Sequence, residues 1–198
     1  RPGTRWWSPS PRDRPGSGSS LLTMAQVLLD EVIHTDYGQF DLVWTEEGGF
    51  DGDPDRFFDG QVNGLVGAAD PAGVYLNLAR RSGGSHVRIL LHDVEPALPP
   101  AEFADVVEVS TSVPADAEPL WTSWGGEAIG DLVGLLPGDF RMRVSASGRD
   151  AGAADELAEG VVDAYLVELW PAALAPDAIL RSESQNGRYW HREWGGRR

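Results

Sequence analysis

Apolar and polar residues alternate with a period of two over much of this chain. In DVVEVSTSV, Val107, Val109 and Val113 fall on one face and Glu108, Ser110 and Ser112 on the other, which predicts a half-buried strand. DFRMRVSAS repeats the pattern, with Phe140, Met142 and Val144 inward and Arg141, Arg143 and Ser145 outward. GVYLNLARR follows it through Val74, Leu76 and Leu78, and HVRILLHDVE through Val87, Ile89 and Leu91. Further strands are expected in EVIHTDYGQFDLVW, GQVNGLVGAA and VVDAYLVELW. The last is apolar on both faces, as a central strand should be.

Clusters of Gly, Pro, Asp and Ser (ADPAG, RSGGS, EPALPP, LPGD) separate these runs, as turn chemistry requires. Two short windows read as helix, GAADELAEG at 152–160 and GGEAIGDLVGLL at 125–136. Many short strands, frequent turns and few helices predict an all-β protein: an antiparallel β-sandwich or flattened barrel with one or two short helices. A parallel α/β fold would place a helix between most strands. One domain is expected over residues 24–180, long enough to bury a core without covalent staples. Residues 1–23 are rich in Pro, Ser, Gly and Arg and read as a disordered or non-native segment. Residues 181–198 read as a polar, Arg- and Trp-rich tail in which Tyr189, Trp190 and Trp194 offer rings for docking on the body.

Composition narrows the function. The chain has no cysteine, which excludes disulfides, Cys-ligated zinc, iron–sulfur clusters and a thiol nucleophile. No run approaches the roughly 18 apolar residues of a membrane helix, and the N-terminus lacks a signal-peptide core, so a soluble, cytoplasmic protein is expected. Charge is unevenly spread. The formal net charge is −15, but Met24 to Leu180 holds 28 acids and 7 arginines, a balance of −21, and lysine is absent throughout. Such a body repels nucleic acid and membrane surfaces and attracts cationic partners.

The densest acidic stretch is EEGGFDGDPDRFFDG, with Glu46, Glu47, Asp51, Asp53, Asp55 and Asp59 around a single Arg56. Asp51, Asp53 and Asp55 match positions 1, 3 and 5 of a calcium loop, but Arg56 and Val62 stand where that motif needs glycine and glutamate. An EF-hand is excluded, and no metal or other cofactor is expected. His86 and His92, six residues apart on one strand, would be about 20 Å apart and do not share an ion. No serine elbow, phosphate-binding glycine loop or Walker lysine is present, and no carboxylate pair stands out as a glycosidase acid and base. Trp44 ends a strand beside Glu46 and Glu47 and suits an apolar anchor for a partner. Trp121 and Trp124, in EPLWTSWGG, suit a stacking platform for a sugar or small ligand.

Three landmarks occur in order: YGQFDL (Tyr37 to Leu42), LPGDFRM (Leu136 to Met142) and DAYLVELWP (Asp163 to Pro171). Their order and spacing resemble the competence protein J family, small β-sandwich proteins whose founding member inhibits a DNA-entry nuclease. The resemblance spans about residues 30–172 and implies a non-enzymatic inhibitor with no catalytic residues. It agrees in kind with the charge: carboxylates on a rigid surface suit the basic groove with which a nuclease grips DNA. The expected partner is a basic protein, a nuclease or toxin, bound through the six acids of 46–59 with Trp44. The alternative is a small-ligand or carbohydrate-binding sandwich using Trp121 and Trp124.

Overall fold

The computed structural model describes residues 25–155 and 160–196. In chain order the elements are β1 (Gln26–Asp36), β2 (Gln39–Val43), α1 (Pro54–Phe58), β3 (Val66–Gly67), β4 (Gly73–Asn77), β5 (Ser82–Leu91), β6 (Asp105–Val113), β7 (Leu120–Ser123), β8 (Ile129–Asp131), β9 (Gly138–Ser147), α2 (Arg149–Ala154), β10 (Ala164–Pro171), β11 (Ala178–Ser182) and α3 (Gln185–Glu193), with a single 3-10 turn at Trp124–Gly126. The strands form a larger sheet, in the order β1-β5-β10-β9-β6-β11, and a smaller one, β3-β4-β2-β7-β8. All pairings are antiparallel except β5 with β10. Neither sheet closes on itself, so the fold is an open all-β sandwich rather than a barrel.

The inward residues read from the period of two fill the space between the sheets. Val87, Ile89, Val107, Val109, Met142 and Val144 come from the larger sheet and meet Phe40, Leu42, Val74, Leu76 and Trp121 from the smaller. VVDAYLVELW is the central strand β10, between β5 and β9. The chain passes from one sheet to the other between β1 and β2 at Tyr37 and Gly38, both left-handed, with φ of 58° and 66°. A Cβ on Gly38 would lie 2.5 Å from the Leu78 carbonyl oxygen, so the crossover leaves no room for a side chain there.

Several local expectations are corrected. RSGGS is not a turn, because β5 begins at Ser82 and its glycines pair with β1 (Thr35 with Gly83, His34 with Gly84). The window 125–136 is not helical. Gly125 and Gly126 take positive φ and Ile129–Asp131 pairs with β7, with Gly130 seated where a Cβ would come 2.7 Å from the Trp121 indole nitrogen. Of GQVNGLVGAA only Val66–Gly67 pairs. The rest is a loop held by side chains: Gln61 Nε2 donates to Val66 O at 2.7 Å, and Asn63 Oδ1 accepts from Leu65 N and Val66 N at 3.0 and 2.8 Å. Residues 156–159 of the first helical window and the segment 1–23 lie outside the described residues.

The outward residues of β9 are buried as well. Arg143 is 1% exposed and donates through Nη1 to the carbonyls of Pro96 and Ala97 at 3.0 and 3.1 Å, and through Nε to Glu108 Oε1 at 2.8 Å. Arg141 reaches the carbonyls of Ala175 and Pro176 at 3.0 and 2.8 Å and Glu108 Oε2 at 3.1 Å. Two proline-rich segments thus lie across the outer face of the larger sheet, tied down by guanidinium groups.

Residues 178–196 also pack on the body. β11 pairs with β6, and α3 is capped by Ser184, whose Oγ accepts from Gly187 N at 2.8 Å. Trp190 packs against the main core, and the Trp194 ring meets Phe58 at 5.2 Å and Tyr75 at 5.8 Å.

Candidate functional site: the acidic loop over the smaller sheet

The stretch from Glu46 to Gly60 is a folded loop. Asp51 Oδ1 accepts from Asp53 N at 2.9 Å, and Asp53 Oδ1 accepts from Asp55 N at 3.0 Å, capping α1, which opens on Pro54. The spacing that suggested a calcium loop is therefore spent on two successive backbone caps. Arg56 ties the loop together, donating to Glu47 O at 2.6 Å and Asp51 Oδ2 at 3.1 Å, and pairing with Asp70. The Asp53 N–H, followed by Arg56, holds the Asp51 carboxyl below the usual carboxylate range. All six acids are exposed. The carboxylates of Glu46, Glu47 and Asp59 make no hydrogen bond or ion pair among the described residues.

Phe50 anchors the loop to the sheet. Its ring stacks on Tyr75 of β4, 3.9 Å between centroids at 11°, and meets Phe57 of α1 at 5.4 Å. Underneath, on β2 and opposite Tyr75 in register, sits Asp41, fully buried. Asp41 Oδ2 accepts from Gln39 Nε2 at 2.6 Å and Phe50 N at 3.3 Å, and Oδ1 has no hydrogen-bond partner. Burial pushes this carboxyl up to about 6, against the lowering effect of those two donors.

The loop divides the outer face of the smaller sheet into two depressions. The larger, about 650 Å³, has Val43, Leu120, Thr122 and Ile129 as its floor, Trp44, Thr45, Glu46 and Gly49 as one wall, and Asp116, Ala117 and Glu118 at its end. Glu46, Asp116 and Glu118 are exposed there, and no basic residue lines it. Ile129, 62% exposed, is an apolar contribution that its Gly-rich surroundings concealed in the sequence. The smaller depression, about 360 Å³, is lined by Tyr37, Gln39, Phe50, Asp51, Gly52, Tyr75 and Trp124.

The tryptophans are placed differently from expectation. Trp44 is 2% exposed and its Nε1 donates to Thr111 Oγ1 at 3.1 Å inside the sandwich, so the surface-anchor expectation is corrected. The alternation that turns Phe40 and Leu42 into the core continues through Trp44, one residue past β2. Trp121 is likewise buried, stacked on Phe40 at 5.8 Å and 21°, whereas Trp124, beyond the end of β7, stands beside Tyr37 at 5.1 Å. Trp121 and Trp124 therefore do not form one platform.

Burial also redistributes charge. Of the seven arginines in the body, Arg80, Arg141, Arg143 and Arg149 are buried, leaving Arg56, Arg81 and Arg88 nearer solvent. Five acids are buried too (Asp41, Asp70, Asp105, Asp163 and Glu168), so the balance changes little. What changes is how few cations interrupt the acidic surface. Asp105 and Asp163 are satisfied internally, by Ser184 and by Ser85 and Tyr165.

Fold and loop define a class: an open, mostly antiparallel sandwich with a hydrogen-bonded acidic loop across its smaller sheet. Among solved structures the fold is similar to that of ComJ from Bacillus subtilis, inhibitor of the DNA degrading activity of NucA. The two are 16% identical, with a TM-score of 0.52, covering 75% of this chain and 99% of ComJ. The product of crocagin biosynthetic gene J also matches, at 14% identity and a TM-score of 0.47, over 76% of this chain and 99% of that one. No protein-family model and no curated protein matches the chain. The resemblance carried by YGQFDL, LPGDFRM and DAYLVELWP thus holds at the level of the fold. These segments form the crossover into β2, the entry to β9, and β10.

Proposed function

We propose that this protein is a non-enzymatic inhibitor that binds a basic protein, a nuclease, through the acidic loop and the acid-lined depression beside it. The observation that carries this reading is the pairing of rigidity with unpartnered charge: Glu46, Glu47 and Asp59 project from a loop pinned by Arg56 and Phe50. Carboxylates held in place lose little entropy on binding, and an acidic surface steers a basic partner toward itself. Asp51, Asp53 and Asp55 contribute field, because they wind into a helix cap. Similarity in fold to ComJ supports the inhibitor reading, and burial of Trp121 weighs against the sugar platform. The test is DNA degradation by a basic nuclease encoded in the same genome. Stoichiometric loss of degradation and a 1:1 complex are expected; undiminished degradation in excess inhibitor would overturn the proposal.

A further inference from the structure

The smaller depression differs from the rest of the acidic surface because its walls are rings. Tyr37 and Trp124, 60% and 39% exposed, form one side, and the Phe50–Tyr75 stack forms the other. Asp51 stands at the rim. Behind Gln39 and Phe50 lies the buried carboxylate of Asp41, with Oδ1 lacking a hydrogen-bond partner. Aromatic faces are negative and attract cations, guanidinium most readily because it also stacks. The chain itself shows this preference: the Arg81 guanidinium rests 5.4 Å over the Tyr37 ring. Tyr37 is also held in a left-handed conformation, φ 58°, which is uncommon for a non-glycine residue and gathers at sites where geometry matters.

We infer that this cleft is an arginine-accepting site, in which a guanidinium side chain of the partner stacks on the exposed Tyr37 and Trp124 rings and the Phe50 ring, and shares the Asp51 carboxylate with Arg56. The arginine's source rests on the proposed inhibitor function, but its chemistry is testable without any nuclease. A neutral sugar would use the same rings and ignore the carboxylates; those carboxylates, and the guanidinium already on Tyr37, favour the cation.

The experiment follows the Trp124 indole N–H by NMR, assigned with Trp124→Phe, while N-acetyl-arginine amide, its citrulline counterpart or methyl glucoside is added. Arginine amide should give a saturable shift with roughly tenfold tighter binding than citrulline. Tyr37→Asn, which tolerates the left-handed backbone, should abolish the shift while the rest of the spectrum stays dispersed. Equal response to citrulline or to the sugar, or no response to arginine, would overturn the inference. The triple change Glu46→Gln, Glu47→Gln, Asp59→Asn separates the two proposals: it should weaken nuclease binding and leave the arginine shift intact. Inhibition without an arginine shift would sink the cleft and leave the inhibitor reading standing.

Discussion

Phe50 closes over Asp41. Its N–H donates to Asp41 Oδ2 at 3.3 Å while its ring stacks on Tyr75 at 3.9 Å, so the residue that pins the acidic loop also seals a carboxylate beneath it. Burial raises that carboxyl from 3.8 to about 6. Between those values the folded state holds the proton more tightly than the unfolded chain does. The stability this group contributes is therefore complete below about pH 4 and lost as pH rises through about 6. Asp41→Asn keeps an acceptor for Gln39 and Phe50 and removes the charge. It should stabilise the protein by about 3 kcal/mol at pH 7.5 and by almost nothing at pH 4. Urea melts of both proteins at the two pH values check this, and a loss at both would contradict it.

Arg143 holds the segment at Glu95, Pro96 and Ala97 against the larger sheet. Arg143→Ala strands Glu108 with Arg141 alone and frees two carbonyls, so a loss of about 3–5 kcal/mol is expected. Arg143→Lys should recover little, because one ammonium does not span the same acceptors. Denaturant unfolding gives the magnitude, and limited proteolysis should show faster cleavage near residue 97.

Gly38 and Gly52 both have positive φ, 66° and 92°, but a Cβ at Gly38 meets Leu78 O at 2.5 Å, whereas nothing lies within 4 Å of one at Gly52. Gly52→Ala should cost about 1 kcal/mol of backbone strain and Gly38→Ala at least about 2 kcal/mol more. Equal melting temperatures for the two variants would show that the crossover relaxes freely.

Alternation made most of the fold legible, because Val107, Val109, Met142 and Val144 each have one dry side and one polar neighbour. It misled where a second layer covers the outward face, as at Arg141 and Arg143, whose lids come from Pro96 and Pro176, distant in sequence. The tail hid α3 because its inward side carries a glycine, Gly187, a histidine, His191, and a single large apolar residue, Trp190, too few to mark a helical period. The acidic loop was legible as composition but not as geometry: nothing local distinguishes Asp51 and Asp53, turned back onto the backbone, from Glu46 and Glu47, turned outward. Trp44 and Trp121 disappeared into the core for the reason tryptophan usually does, its large apolar area.

The most direct measurement of the central claim is the association rate of the protein with the proposed basic nuclease partner across ionic strength, for the native protein and for Glu46→Gln, Glu47→Gln, Asp59→Asn. If the loop steers and holds the partner, the triple variant should associate roughly tenfold more slowly at low salt, with a shallower salt dependence and unchanged urea unfolding. The same rate and the same salt dependence as the native protein would show that these carboxylates serve solubility and that the interface lies elsewhere.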